Sequence, residues 1–225
     1  TPYSASKNTH ENTLCMMVRD DASKKLAVAG DSAVFSGEDL GCGIKLCELS
    51  IENAHALMQL FPFTKPQSCK GHAFTIGLGD RLGCATAGLV KSLEGKDVFP
   101  ILAQQSIREL NLTGRNYLQV IADAAFGVFQ AGYRSGYGAD GDHLKQKEEI
   151  KYALVSGCTM VTLDCSEHIR NEAANFNEYE IESAYEKIPE YVRNHYEKRY
   201  LSKEHPVVGE IRDIELKRTV LIFSE

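Results

Sequence analysis

Residues 116–145 are NYLQVIADAAFGVFQAGYRSGYGADGDHLK, and this stretch shows the fold pattern of the chain most clearly. Its apolar residues recur at helical spacing over Tyr117–Ala131, where Asn116 can cap the start of a helix and Gly132 its end. The short apolar run Tyr137–Gly141 follows and is typical of a buried strand. The stretch therefore predicts one helix and one strand of an α/β fold.

Similar units occur on both sides of this stretch. The sequence predicts strands over Phe74–Gly79, Val98–Ala103 and Thr159–Leu163, and helices over Leu82–Leu93 and Lys145–Val155. Strand and helix alternating four times is the pattern of a parallel α/β architecture. A complete (β/α) barrel needs about 250 residues. We therefore expect a partial TIM-type barrel, the first four or so β/α units of a longer protein, with a four-stranded open sheet as the alternative.

The chain of 225 residues divides on the same grounds into two predicted parts. Residues 1–72 are expected to form a small α+β segment, and residues 73–225 the front half of the barrel. The first part contains a predicted hairpin with its turn at residues 20–23 and a predicted helix, at Leu14–Arg19, Lys25–Ala29 and Ile51–Leu60.

Residues 166–209 form an excursion from the barrel pattern. They are charged and rich in tyrosine, and we expect a helix that is broken near Pro189. Four tyrosines could pack this helix onto its neighbour or form a binding stripe, and packing is the more common use: Tyr185, Tyr191, Tyr196 and Tyr200. A further helix is expected over Ile211–Phe223.

Composition limits the class of protein and its partners. A net charge of -6 with mixed signs disfavours a nucleic-acid partner. No apolar run approaches the roughly 18 residues of a membrane helix, and no secretory leader follows Thr1. The seven cysteines have irregular spacing without a C-x-x-C pair, which indicates reduced thiols in the cytoplasm. We expect a cytoplasmic protein with a small-molecule partner, and the sequence leaves a homo-oligomer open.

Polar residues follow each predicted strand, at the rim where barrel enzymes carry their reactive groups. In chain order they are Asp80 and Arg81, then Gln105, Ser106 and Arg108, then Asp142 and His143, then Asp164 with His168. Their recurrence at four successive strand ends predicts a site at the barrel mouth.

Asp142 and His143 are the sharpest candidates among them. Neighbouring side chains of a strand point to opposite faces, so both serve one site only where the strand opens into a loop. That geometry suits a metal ion held by His143 and a proton carried by Asp142. A catalytic metal needs two further ligands, but His72 precedes its strand and His168 lies beyond one. A histidine whose side chain is merely satisfied by hydrogen bonds within the protein is the alternative.

The other strand ends suggest substrate binding. Gly77–Gly83 is GLGDRLG, one residue longer than the dinucleotide fingerprint, and Asp80 would place a carboxylate where a pyrophosphate should lie. We therefore expect no nicotinamide, and a tight turn that presents Asp80 and Arg81, with Arg81 suited to a substrate carboxylate. The predicted substrate-binding set is Asp80, Arg81, Gln105, Ser106, Arg108 and Asp164. Bracing of the rim or the start of a helix remains the alternative for these residues.

The same motifs resemble the tagaturonate epimerase family, whose members convert tagaturonate to fructuronate in bacterial hexuronate catabolism. The motifs are GLGDRLG at 77–83, ATAG at 85–88, QQSIRE at 104–109, TGR at 113–115 and GADGDHLK at 138–145. The resemblance covers about Phe74 to His168, and the family's proteins are considerably longer than this chain. The Asp-His pair also resembles that of metal-dependent class II aldolases.

The resemblance implies a divalent metal cation, with Asp142 as acid/base and His143 as metal ligand. It implies epimerisation by retro-aldol and aldol steps, since the inverted carbon carries a hydroxyl β to the ketone and simple enolisation cannot invert it. Further metal ligands and a second acid/base would then lie beyond the end of the chain, and the chain alone should be inactive. A class II aldolase, or a non-catalytic aldolase-type barrel subunit, is the alternative.

Overall fold

The computed structural model describes residues 1–20 and 23–223. The chain divides into two compact units, Thr1–Leu163 and Asp164–Glu225. The predicted boundary between residues 72 and 73 falls inside the first unit. The division of the chain into an α+β segment and a barrel part stays a prediction. Within the described residues no helix is both long and apolar enough to cross a membrane.

The first unit contains two sheets. Its strands are β1 (Asn8–His10), β2 (Thr13–Arg19), β3 (Lys24–Gly30), β4 (Glu38–Asp39), β5 (Ile44–Cys47), β6 (Thr75–Gly77), β7 (Phe99–Ser106), β8 (Gly138–Leu144) and β9 (Met160–Leu163). Its helices are α1 (Ile51–Leu60), α2 (Thr86–Lys91), α3 (Ile107–Thr113), α4 (Tyr117–Ala131) and α5 (Lys147–Val155). One sheet is antiparallel, in the order β1-β2-β3-β5-β4. The other is parallel and follows the chain, β6-β7-β8-β9.

The parallel sheet, with a helix after each strand up to β8, makes this a mixed α/β fold whose sheet forms a curled half-barrel. The alternation that predicted it is confirmed. The helix α4 begins and ends where its pattern predicts. Asn116 and Gln119 form a capping box at its start, and Gly132 ends it in the left-handed region at φ 64°. A Cβ at Gly132 would lie 2.6 Å from the carbonyl oxygen of Ala5, so the position is also spatially restricted to glycine.

The helix α4 lies between the two sheets of the first unit. Ile121 and Val128 belong to the core of the parallel sheet. Phe126 and Phe129 belong to a second core. The buried, alternating residues of β2 and β3 and the buried face of α1 form the rest of this core. The predicted hairpin strands and the helix Ile51–Leu60 are confirmed, while Asp21 and Ala22 of the predicted turn lie outside the described residues. Burial on two sides explains why α4 is apolar over most of its surface.

Several elements of this unit differ from the sequence predictions. The strand predicted over Val98–Ala103 continues as β7 to Ser106, so Gln105 and Ser106 lie within it, and α3 follows without having been predicted. The strand predicted over Phe74–Gly79 is reduced to β6, which forms an edge of the sheet and whose residues are exposed. The helix predicted over Leu82–Leu93 begins only at Thr86, after a turn. The strand β8 continues past Gly141 to Leu144, so it includes Asp142 and His143.

The second unit is mainly helical. Its elements are α6 (Glu178–Tyr185), α7 (Glu190–Tyr200), β10 (Glu204–His205), β11 (Gly209–Glu210) and α8 (Asp213–Phe223). The predicted break at Pro189 is confirmed, since this residue caps α7. The small core includes Tyr185 and is flanked by Tyr196 and Tyr200, whose rings stack, whereas Tyr191 is exposed. Packing therefore accounts for three of the four tyrosines.

Candidate active site at the ends of the parallel strands

A bulge near the end of β8 brings Asp142 and His143 together. The register with β9 shifts between Gly141 and Leu144, and His143 adopts a left-handed backbone with φ 53°. Few residues other than glycine adopt this conformation, and it accompanies bulges that redirect a side chain. As a result His143 Nε2 lies 3.9 Å from Asp142 Oδ1, although the two residues are neighbours in a strand.

The two side chains differ in exposure. The side chain of Asp142 is 13% exposed and that of His143 is 65% exposed. Burial raises the pKa of the Asp142 carboxyl above its usual value, and the carboxylates of Asp140 and Glu109 act in the same direction. His143 and Arg81 oppose this shift. A carboxyl group with a raised pKa gives up and takes back a proton more evenly than an exposed one, as a general acid/base must.

Ser106 and Arg81 lie at the same rim. Ser106 pairs with Asp142 in the register of β7 and β8 and caps α3, in a capping box with Glu109. One nitrogen of Arg81 donates to Glu109 Oε2 at 2.8 Å and to the Gln104 carbonyl oxygen at 2.9 Å. The Arg81 side chain is still 42% exposed. An anchored and partly open guanidinium next to a carboxylate and a hydroxyl can bind a polar acidic ligand.

Asp80 shapes the turn that precedes α2. Its buried carboxylate accepts six hydrogen bonds, from the backbone N–H groups of Leu82, Gly83, Cys84, Ala85 and Thr86 and from the Thr86 hydroxyl. Burial acts to raise the pKa of the Asp80 carboxyl, but these backbone donors outweigh it and hold the pKa below its usual value. Asp80 therefore stabilises the turn before α2. Its contact with substrate stays a prediction.

Gln105 lies on the opposite face of β7 from Gln104 and Ser106, as strand alternation requires. It is fully buried. Its amide donates to Thr113 Oγ1 at 3.2 Å and accepts from Arg115 at 2.9 Å. Arg115 also binds the Asp80 carbonyl oxygen and Asp123 Oδ2, at 3.2 and 2.5 Å. Gln105 and Arg115 therefore join β7, the Asp80 turn and α4, and a role of Gln105 in substrate binding stays a prediction.

The two remaining predicted residues are Arg108 and Asp164. Arg108 is exposed on α3, and its side chain makes no hydrogen bond or ion pair within residues 1–20 and 23–223. Asp164 belongs to the second unit, where its Oδ1 accepts from the Ser166 N–H at 2.9 Å. Their predicted roles in binding are likewise untested.

Sequence reasoning missed a buried polar network on the inner face of the sheet. Asp140 is fully buried, and its Oδ2 accepts from Gln104 Nε2 at 3.0 Å and from Thr162 Oγ1 at 2.8 Å. The network thus joins β7, β8 and β9. The spacing of Asp140 and Asp142 carried the signal, because residues two apart on a strand share a face.

The donor chemistry at the rim suits part of a metal site. An imidazole and a carboxylate stand together at Asp142 and His143, which are ligand types for a divalent cation. Over the described part of the chain, however, no group of three or more His, Cys, Asp or Glu side chains could hold a metal ion. These residues alone therefore do not complete a site.

Comparisons with known proteins point to one family. The family model described as tagaturonate epimerase matches residues 3–225. The tagaturonate/fructuronate epimerase of Thermotoga maritima is 36% identical over 214 residues, which are 92% of this chain and 44% of that protein. Crystal structures of the fructuronate-tagaturonate epimerase of Cohnella laeviribosi, native and with one glycerol, are 49% identical with a TM-score of 0.92. They are matched over 99% of this chain and 46% of theirs. The chain thus spans about half the length of these relatives.

Proposed function

The chain belongs to the tagaturonate epimerase family, and from that premise we propose that it supplies part of the active site of an enzyme interconverting tagaturonate and fructuronate. The observation that carries the proposal is the Asp142–His143 pair, which the bulge in β8 brings to 3.9 Å. A bulge with a left-handed histidine costs conformational energy, and such strain is found preferentially at functional sites.

We also propose that the parallel sheet is the front half of a TIM-type (β/α) barrel. The order β6-β7-β8-β9 follows the chain with parallel pairing throughout, and helices connect the strands, as in the first units of such a barrel. The polar residues lie at the carboxyl ends of these strands, where barrel enzymes carry their active sites. Further strands and site residues would come from the rest of the family's length. A cytoplasmic location stays a prediction.

In the proposed reaction Asp142 carries the proton. Its carboxylate takes the proton of the hydroxyl that lies β to the ketone, the carbon–carbon bond breaks, and its electron pair passes into an enolate while an aldehyde forms. The aldehyde turns over, the enolate carbon attacks its other face, and Asp142 returns the proton to the new alkoxide. Atoms and electrons balance without a redox cofactor, so no nicotinamide is needed.

His143 would supply one ligand to a divalent metal cation, with the remaining ligands from outside the described residues. When bound, such a cation provides Lewis-acid stabilisation of developing oxyanion charge. Arg81 would bind the carboxylate of the sugar acid, and Ser106 would bind a hydroxyl. The partly exposed guanidinium of Arg81, held by Glu109, supports this assignment.

The test uses the enzyme of the family's full length that contains this chain, incubated with tagaturonate. Asp142→Asn should slow fructuronate formation by at least about a hundredfold, the usual contribution of a general acid/base, without a change in circular dichroism. Asp97→Asn is the matched control, because Asp97 is exposed and lies before β7, at the opposite end of the sheet. His143→Ala should lower the bound divalent metal, measured by elemental analysis.

Two results would contradict the proposal. One is an Asp142→Asn enzyme that keeps the rate of the unchanged protein. The other is formation of three-carbon products without fructuronate, which would identify a class II aldolase that releases the cleaved pieces.

A further inference from the structure

Gln104 presents an unused hydrogen-bond acceptor on the inner face of the parallel sheet. The side chain is half-buried, and its Nε2 donates to Asp140 Oδ2 at 3.0 Å. Its Oε1 has no hydrogen-bond partner within the part of the chain that the structure describes. Gln104 Oε1 is not among the fully buried polar atoms of the described structure, so a ligand can reach it.

Asp140 determines which end of the Gln104 amide is presented. A carboxylate only accepts hydrogen bonds, so the amide must turn its nitrogen towards Asp140 and its oxygen away. Asp140 is itself held by the Thr162 hydroxyl at 2.8 Å and is fully buried in β8. The orientation of the amide therefore follows from the neighbouring strands and does not depend on rotamer preference.

The neighbouring strand β6 leaves room for this amide because Gly77 has no side chain. A Cβ at Gly77 would lie 2.7 Å from Gln104 Oε1 and 3.1 Å from Nε2. Any other residue at this position would displace the amide. The space at Gly77 and the acceptor at Asp140 thus confine Gln104 from both sides.

Gln104 lies two residues before Ser106 on β7, on the same face of the sheet and further from the rim. It pairs with Asp140 in the sheet register, and Ser106 pairs with Asp142 two residues further along. Two residues of a strand span about 7 Å, which is within the length of a six-carbon sugar acid bound at the Asp142–His143 pair. A hydroxyl group of such a ligand would be the natural donor for Gln104 Oε1.

We propose that Gln104 binds substrate by accepting a hydrogen bond from a sugar-acid hydroxyl, and that Asp140 is a positioning residue that fixes the Gln104 amide for this contact. The assignment rests on the proposed function.

Kinetics of the full-length family enzyme with tagaturonate test the binding role. Gln104→Met, which keeps the length of the side chain, should raise KM about tenfold and change kcat less than about threefold, as expected for loss of one hydrogen bond to substrate. Gln130→Met, at the far end of α4, is the matched control and should leave both constants unchanged. An unchanged KM in Gln104→Met would overturn the binding role. If the unsubstituted enzyme makes no fructuronate, the proposed function itself fails.

A double-mutant cycle tests the positioning role. Asp140→Ala should raise KM nearly as much as Gln104→Met. The KM of the double variant should be at most about twofold higher than that of Gln104→Met alone, because both substitutions abolish the same contact with substrate. Independent multiplication of the two effects would overturn the positioning role.

Side-chain amide resonances of Gln104 in this chain provide a readout independent of activity, and they are assigned by their loss in Gln104→Met. They should shift in Asp140→Ala but not in Gln130→Met. If Asp140→Ala does not fold, Thr162→Val replaces it. It removes the second hydrogen bond to Asp140 Oδ2, the oxygen that also accepts from Gln104, and should shift the same resonances. Resonances that stay in place in a folded variant of either residue would contradict the proposed orientation.

Discussion

Replacement of Asp80 by asparagine is expected to destabilise the turn that leads into α2. The carboxylate spreads its six hydrogen bonds over both oxygens, three on Oδ1 and three on Oδ2. Asparagine keeps one of these oxygens and replaces the other with an NH₂ group. That group cannot accept hydrogen bonds, so the three N–H or O–H donors that face it lose their acceptor. Thr86, whose N–H and hydroxyl are among these donors, is buried and cannot turn to water.

The expected loss in the free energy of unfolding is about 1–3 kcal/mol. Loss of a helix-capping side chain costs roughly 0.5–2 kcal/mol, and hydrogen bonds to a charged group contribute about 1.5–3 kcal/mol. Partial rehydration of the exposed donors Leu82, Cys84 and Ala85 reduces the sum. Urea unfolding followed by circular dichroism measures the loss, and hydrogen exchange of a peptide covering residues 80–91 locates it.

The effect should depend on pH in a definite direction. Because the pKa of Asp80 is lowered in the folded protein, its stabilisation is present above the unfolded value of about 3.9 and is lost as the pH falls through the folded pKa. The difference between the unchanged protein and Asp80→Asn should therefore be largest above about pH 5 and shrink below about pH 4.

A matched control and a clear negative result complete this test. Asp97→Asn, at an exposed position, should stay within about 0.5 kcal/mol of the unchanged protein. An equally small effect of Asp80→Asn, together with a raised KM for tagaturonate in the full-length enzyme, would refute the reasoning. It would show that Asp80 contacts substrate and does not hold the turn.

Three further changes test other parts of the fold. Arg115→Ala should cost about 2–4 kcal/mol in urea unfolding because it leaves Asp123 without its cation, whereas Arg115→Lys should recover part of the loss. Gly127→Ala should lower stability by about 1–3 kcal/mol, since a Cβ there would lie 2.5 Å from Thr86 Cβ, between α2 and α4. An unchanged melting temperature would contradict this close packing. His143→Val should be at least about 1 kcal/mol less stable than His143→Asn, which tolerates a left-handed backbone, and equal stabilities would argue against the bulge.

Much of the fold could be predicted because its signals are local. The capping residues and the apolar period of α4 lie within one segment, and its bounds agree with the prediction at both ends. The helix predicted from Leu82 failed for a tertiary reason, since Asp80 gathers the following N–H groups into a turn before α2 can begin. The helix α3 was not predicted, although Ser106 and Glu109 are the capping-box pair that starts it.

The candidate site also has features that local sequence predicts and features that only strand pairing determines. Polar residues after apolar strands, and the motifs shared with the family, can be recognised from residue order alone, and they point to Asp142 and His143. The partners of each side chain depend on register and on backbone torsion, which arise only when strands pair. The bulge at His143 turns two neighbours towards each other, and alternation along β7 places Gln104 on the inner face and Gln105 among the helices. Contacts across strands join residues far apart in the chain, so no local pattern could show that Asp140 holds Gln104.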